Sequence, residues 1–597
     1  MRKKRVVALT AAASAVALTA AACGSHSGGS ASGGSSGYNA ALTSIVNQSS
    51  AVGGTLKLED SSGFDSLDGG ITYEAASWDL YRLFDRTMMT FKQEPGKTGL
   101  QLQGDLVTSF KASNNNKTWT YTIVPNAKFS DGDTITTKDV AYAIERSNFD
   151  ASGAIHGGPS YFASLIQNTN SYKGPYKDPS GQVSGISTPN ATTITFNLTK
   201  PFADFNYLMT LLQTAPVESS HDPGAQYSTD VAKDSFSGQY MVSSYTPNSQ
   251  LTLVPNTAFD SSSDPNGVHK RYASKVTVAL DVNTTTVDQN LLNGSSNLDV
   301  RGIGVGTGTQ SIVLANPTDK ANADVDVDGF ETFMSVNTQV APLDNVYCRQ
   351  AIEYAVNKAQ VQDVSGGSIA GGAVANTVLP TTNTGYAAST QYATGGNEGD
   401  IGKATSLFDQ CKTAEGASFN PSFTLATYKT SDNPKMIAAA DVIQQNLDKV
   451  GFKVSIAQYS YGDGSFWNSY AGLPSYADSN RIGLSLWAWG ADFPTGYGYM
   501  DEILTSDGIN KAGGSYNLSY WNDSKFDSLV NNALAASTPA QTQSYYAQAD
   551  AYAMSQAVIV PLLYQSTLLY RPSSTTNVTV SEAYGMYDYS IIGTSNK

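Results

Sequence analysis

From Lys275 onward the chain alternates strand-patterned and helix-patterned segments, which restricts it to folds in which helices cover the faces of a sheet. KVTVALDVN (275–283) reads as a strand, Thr285 to Leu292 as a helix that stops at Asn293-Gly294, and LDVRG (298–302) as a strand again. Phe330 to Asn337 follows as a strand, and VYCRQAIEYAVNKAQV (346–361) as one helix with Val346, Ile352, Ala355 and Val356 facing inward. After a Gly-rich passage come helix 400–412, strand Phe423 to Thr427, helix Pro434 to Val450, and strands Lys453 to Gln458 and Gly483 to Trp489. Helix Pro539 to Gln556 and strand Val558 to Tyr564 close the pattern, which predicts a mostly parallel α/β lobe.

The first half is more mixed. Thr55 to Glu59 reads as a strand that breaks into a Gly/Asp/Ser loop (60–70), with a helical segment around Ala75 to Thr87. Trp119 to Ile123, Thr193 to Leu198 and Gln250 to Pro255 alternate as strands. An Asp131-Gly132 turn leads into a helix with Thr137 as the expected N-cap and Val140, Ala141 and Ile144 on one face. At 597 residues, the chain has room for two or more domains.

Arg2, Lys3, Lys4 and Arg5 precede an apolar run of small residues from Val6 to Ala22, the pattern of a secretory signal. Ala20-Ala21-Ala22-Cys23-Gly24 resembles a bacterial lipobox, with Ala20 where Leu is more usual, so Cys23 is the expected lipidated N-terminus. The run falls short of the roughly 20 residues that span a bilayer. Acyl chains gain about 0.8 kcal/mol per buried methylene, so a multiply acylated Cys23 implies durable anchoring at the outer face of the cytoplasmic membrane. The expected division is a signal peptide at 1–22, a lipid-anchored Gly/Ser tether at 23–52, and an extracytoplasmic body beyond.

A net charge of −15 and a pI near 4.7, with no basic stripe after the signal, argue against a nucleic-acid partner. The four histidines, His26, His156, His221 and His269, are scattered, with no pair at i, i+4 and none beside a cysteine, so no His/Cys metal site is expected. No phosphate-binding G-x-x-x-x-G-K-[ST] loop occurs, and no cofactor is expected. Gly33-Gly34-Ser35-Ser36-Gly37 matches G-x-S-x-G, yet lacks the preceding strand and following helix that would make it a nucleophile elbow.

Four blocks carry recurring motifs. FSDGDTITTKDVAYAIERS (129–147) follows the pattern F-x-DG-x-x-x-T-x-x-DV. FSGQYMVSSYTPNSQLTLVPNTAF (236–259) is similar to a G-x-Y-x-V block, with Gln239 where Pro is usual. Asn337, Pro342, Asp344, Arg349, Gln350 and Ala351 carry the third, and LWAWGADFPTGYGYMDEIL (486–504) resembles a W-x-AD-(Y/F) pocket loop. In this order the four resemble the peptide/nickel (oligopeptide/dipeptide) family of ABC-transporter extracytoplasmic solute-binding lipoproteins. The resemblance implies a two-lobed periplasmic-binding-protein-like α/β fold with a hinge and an extra subdomain in the first lobe. Mapped here, lobe one takes 53–330, completed by 556–597, and lobe two takes 331–555.

The same resemblance implies a monomeric, non-enzymatic receptor that captures an oligopeptide or dipeptide and delivers it to an ABC permease and ATPase complex. The alternatives are a signalling-peptide receptor, a binding protein for an oligosaccharide or metal chelate, and a surface hydrolase, for which no nucleophile–base set is visible. Asp492 matches the residue that pairs with a peptide ammonium, against the plainer reading of a turn or capping aspartate. Trp489 is the expected pocket wall, with core packing as its alternative, while Tyr161 and Phe64 are further candidate ligand contacts. No residue matches a fixed partner for the ligand carboxylate. With Cys23 assigned to lipid, Cys348 and Cys411 remain on the apolar faces of two helices, and outside the cell they read as a disulfide, with two buried free thiols as the alternative.

Overall fold

The computed structural model describes residues 37–596 apart from 156–157, 223, 225–233, 431–432 and 461–463, so the expected signal peptide, Cys23 and most of the tether lie outside the described residues. Two mixed sheets organise the body, one in each of two lobes. The first sheet runs in the order Leu298–Asp299, Thr55–Glu59, Lys275–Ala279, Gln250–Pro255, Tyr240–Thr246, parallel at its first two junctions and antiparallel at the others. A separate four-stranded antiparallel sheet (Val107–Ser113, Thr118–Ile123, Thr193–Asn197, Ile186–Asn190) lies between these strands in the sequence.

The second sheet is ordered Ala373–Val374, Ile559–Tyr570, Ala323–Val336, Ile482–Gly490, Ser422–Tyr428, Lys453–Tyr459. Its last two junctions are parallel and the rest antiparallel, so the expectation of a mostly parallel sheet is corrected. The chain enters this sheet along Ala323–Val336 and returns along its neighbour Ile559–Tyr570, and both that strand and Ile482–Gly490 on the other side run opposite to the entry strand. These two strands pair from Ala323↔Tyr570 to Ser335↔Ile559, with register shifts between Val327 and Glu331 and between Thr332 and Phe333.

Local chemistry explains most element ends. Helix Thr137–Asn148 is capped one residue before the expected Thr137: Thr136 accepts from Lys138 N–H, and Asp139 reaches back to Thr136 N–H (2.7 Å), a capping box. The helix expected over 346–361 is two, Val346–Ala355 and Lys358–Val364, because Asn357 breaks the first and caps the second by accepting from Gln360 N–H (2.8 Å). The helix near residue 75 ends at Tyr81. Pro434–Val450 and Pro539–Gln556 match their expected limits, each with Pro in its first turn.

The body also begins earlier than 53. Asn39 N–H donates to Ala323 O (2.9 Å), Val46 bridges Val578, and Ala41 and Val46 are buried, since the Gly/Ser composition gives way after Gly37 to a segment with apolar anchors. A disulfide joins Cys348 and Cys411, both fully buried, and staples helix Val346–Ala355 to helix Ile401–Glu415.

Candidate functional site

The strand Ile482–Gly490 is buried over its first six residues and half-buried over its last three, so it carries Ala488, Trp489 and Gly490 out of the core. Trp487 lies opposite Phe333 and Trp489 opposite Glu331, on the same face of the sheet. The inner Trp487 is fully buried and donates its indole N–H to Ser335 Oγ (3.0 Å). Trp489 is half-buried and packs on Tyr516 with ring centroids 5.2 Å apart, and its indole N–H has no hydrogen-bond partner among the described residues. Only glycine fits at the exit, because a Cβ on Gly490 would stand 2.6 Å from the Phe330 ring.

Beyond Gly490 the chain turns into helix Gly496–Leu504, whose cap Thr495 accepts from Gly498 N–H (3.1 Å). Asp492 is tied to the first turn of that helix through its own N–H, which donates to Gly498 O (3.4 Å). Two tyrosines from the first half of the chain meet its carboxylate. Tyr73 donates to Asp492 Oδ2 at 2.6 Å, and Tyr161 donates to the same oxygen. Asp492 Oδ1 has no hydrogen bond among the described residues.

Each tyrosine is held by its own surroundings. Tyr161 opens helix Tyr161–Leu165 and stands edge-on to Phe493, ring centroids 5.5 Å apart. Tyr73 is 41% exposed along its flank and stacks on Trp78 at 5.6 Å, while Asp65 accepts its N–H (2.7 Å) and the Thr72 hydroxyl (2.6 Å). The loop before it is braced by Asp68, which takes a bidentate pair from the buried Arg146 (2.8 and 2.7 Å). Phe64 packs against Tyr81 at 5.8 Å, and among the described residues no ring contact or hydrogen bond joins it to Asp492 or Trp489.

Burial pushes the Asp492 carboxyl up to about 6, with the two tyrosine hydroxyls pulling the other way. The same burial, together with the Asp492 charge, holds both tyrosine hydroxyls well above their usual value. Glu502, one turn beyond Gly498 on the same helix, is pushed up to about 7 by burial and then by Asp501, Asp492 and Asp507. Asp492 and Trp489 were named from the W-x-AD-(Y/F) loop, and Tyr161 from a separate resemblance outside the four blocks. Tyr73 and Glu502 were missed, since no period or motif marks a loop tyrosine, although the four-residue step from Gly498 places Glu502 on the helix face that Asp492 touches.

Behind the site, Tyr499 donates to Glu331 Oε2 (3.0 Å) on the entry strand, and Glu331 Oε1 is buried without a partner. Burial holds this fully buried carboxyl well above its usual value. A raised folded-state value means that Glu331 supports the fold below the unfolded pKa, about 4.3, and loses that contribution as pH rises toward the folded value. Glu331→Gln is therefore expected to gain on the wild type as pH rises above about 4.3, by up to about 1.4 kcal/mol per pH unit. Urea unfolding at three pH values measures the gap, and a gap that stays flat would show that burial does not raise this carboxyl.

A cavity of about 410 Å³ opens beside the entry and exit strands, with Ile303 and Gln310 on one side, Asn433 and Lys435 on the other, and Thr332 and Gln565 between. Elsewhere the fold gathers a group that sequence distance concealed: His221 Nδ1 lies 2.8 Å from Glu218 Oε2 and 3.4 Å from Asp131 Oδ2, at a largely exposed position.

The structure is thus an α/β body in which two hydroxyls from the first half of the chain cap one carboxylate from the second half. Residues 101–511 match the family model for bacterial extracellular solute-binding proteins, family 5, and the chain belongs to that family. It is 25% identical over 519 residues to the probable D,D-dipeptide-binding periplasmic protein DdpA of Escherichia coli K12, covering 83% of this chain and 86% of that one. It is 22% identical over 513 residues to the oligopeptide-binding protein OppA of Bacillus subtilis 168, covering 84% and 85%. Among solved structures, the clavulanic acid biosynthesis oligopeptide binding protein 2 superposes with a TM-score of 0.88 at 30% identity, covering 94% of this chain and 99% of the other. The Helicobacter pylori DppA in complex with the peptide STSA has the same fold, with a TM-score of 0.64 at 20% identity over 90% and 98% of the two chains.

Proposed function

We propose that this chain is a substrate-binding lipoprotein of an ABC transporter that captures a peptide-like solute between its lobes and hands it to a membrane permease. The observation that carries the reading is Asp492, a carboxylate whose Oδ2 is capped by Tyr73 and Tyr161 and whose Oδ1 is unfilled. Such a group accepts an α-ammonium through a charge-assisted hydrogen bond, about twice as strong as a neutral one. Trp489, with its unpartnered indole N–H, forms the adjoining wall. The printed names of the relatives support a peptide or peptide-like ligand. In this reading 53–330 with 556–597 and 331–555 move as two bodies about the paired strands, and Cys23 anchors the protein to the outer face of the cytoplasmic membrane.

Native mass spectrometry of the chain from Gly24 onward, followed by denaturing release, tests the ligand class. The expected result is a set of short peptides. Release of a sugar or metal chelate alone would retain solute binding and remove the ammonium role of Asp492. Cell fractionation tests the anchor: Cys23→Ala is expected to move the protein out of the membrane fraction, and unchanged partitioning would remove the lipidation assignment.

A further inference from the structure

Beside Asp492 the two halves of the chain are fastened at several further points. Loop 200–204 and helix Phe205–Leu208 lie against helix Gly496–Leu504, the end of helix Ser524–Leu534, and helix Pro539–Gln556. The last carbonyls of a helix have no partner within it. Here Ala203 N–H donates to Leu534 O (2.8 Å) and the Asn116 side-chain amide to Ala536 O (2.9 Å), so the end of Ser524–Leu534 is completed from the first half. Asp204 stands at the cap of its own short helix yet makes no cap hydrogen bond; its carboxylate instead accepts from the Tyr546 hydroxyl (2.6 Å), both residues buried.

Aromatic rings continue this contact up to the site. Phe202 meets Tyr497 edge-on with ring centroids 4.8 Å apart, and Tyr207 stacks at 6.2 Å on Phe493, the ring next to Asp492 that Tyr161 also touches. The Tyr546 ring packs on Gly496, where a Cβ would clash with it. Phe202, Phe493, Tyr497 and Tyr546 are all buried. Separating the halves here would bring these rings into water and break the Tyr546–Asp204, Ala203–Leu534 and Asn116–Ala536 hydrogen bonds, each a cost to opening. None of these contacts uses Asp492 or Trp489, so none needs a solute.

We infer that Asp204 and Tyr546 are positioning residues: they form a clasp that closes this junction without a solute and holds Tyr161 on Asp492 in advance of binding. The inference rests on the two-body reading above and holds for any class of ligand. A solute then enters only through the open fraction of molecules, and the apparent affinity is scaled by that fraction. Protection of the Ala203 amide, which crosses the junction, measures the fraction directly.

Hydrogen exchange resolved to single residues tests this on the full chain, stripped of solute by dialysis against guanidinium and back into buffer at pH 7.5. The reference is the Thr199 amide, which donates to Leu165 O (2.8 Å) within the first half. In the wild type both amides are expected to exchange at least about a hundredfold more slowly than an unstructured amide. Tyr546→Phe keeps the ring and removes one hydrogen bond to a carboxylate, so Ala203 is expected to exchange about tenfold faster while Thr199 is unchanged. An unprotected Ala203 beside a protected Thr199 in the wild type overturns the clasp and leaves the two-body reading intact. Equal acceleration of both amides in the variant shows a general loss of stability and overturns the positioning role. If Tyr546→Phe does not fold, Phe202→Leu loosens the same junction and is read by the same two amides. Protection of Ala203 that neither substitution alters overturns the clasp, and the two-body reading falls at this junction with it.

Discussion

Replacing Asp492 by Asn is expected to weaken binding of an amine-bearing ligand by tenfold or more at pH 7.5. The substitution keeps the shape of the side chain and its ability to accept from Tyr73 and Tyr161, but removes the charge that an ammonium needs. A hydrogen bond to a charged group contributes about 1.5–3 kcal/mol, which corresponds to roughly ten- to 150-fold in affinity. The wild type carries a second signature. Because burial holds the Asp492 carboxyl near 6, the free protein must lose a proton to bind a cation below that pH. Affinity is therefore expected to be greatest near pH 7, to soften toward pH 8 in both proteins as the ligand's α-amino group (about 7.7–8.0) loses its proton, and to fall by up to tenfold per unit below about 6 in the wild type alone. Calorimetry across pH 5 to 8 reads both effects, and identical profiles for the two proteins would remove Asp492 from ammonium recognition.

Removing the disulfide is expected to have the largest effect on stability. The bond between Cys348 and Cys411 closes a loop with a sequence separation of 63 residues. In the chain-entropy description, opening a loop of that length frees the unfolded chain by about 4 kcal/mol, within the range of about 0–5 found for disulfides generally. Paired Cys348→Ala and Cys411→Ala substitutions should lower the urea midpoint by a matching amount, and adding reductant to the wild type should reproduce the shift. Both sulfurs lie in the core, so part of any loss in the variant is a packing defect; the reductant experiment separates the two. Coincident unfolding curves with and without reductant would show that the bond contributes nothing to stability.

The parts of the fold that were legible in sequence are those governed by local rules. Helix Pro434–Val450 could be placed to the residue because Pro opens it and Gly451, at φ 120°, closes it in a conformation that only glycine adopts freely. Where a local competitor was overlooked, the reading slipped: Asn357 looks like an ordinary helix position until its side chain is seen capping a new helix. Ala323–Val336 and Ile559–Tyr570 proved longer than their apolar cores, because a crossing strand continues through a polar stretch as long as its neighbour supplies hydrogen bonds.

The site divides in the same way. Asp492, Trp489 and Tyr161 could be named because each sits within or beside a recurring motif, and the strand period alone puts Trp489 on the same face as Trp487. That Trp487 is fully buried and Trp489 only half-buried depends on where the sheet stops being covered, a property of the neighbouring segments and not of the strand. Tyr73, 419 positions from Asp492, and Tyr161, 331 positions away, converge on one oxygen through tertiary packing.

Sequence by itself determined the alternation of elements, the limits of the proline-opened helices, the acidic character of the chain, and the family to which it belongs, because these follow from contacts within a few residues or from motifs read in order. Tertiary structure decided the strand directions of the second sheet, the burial that raises the Glu331 carboxyl, and the convergence of Tyr73 and Tyr161 on Asp492. Burial and electrostatic pairing depend on distance in space, and a linear sequence carries no record of which distant segments will exclude water from one another.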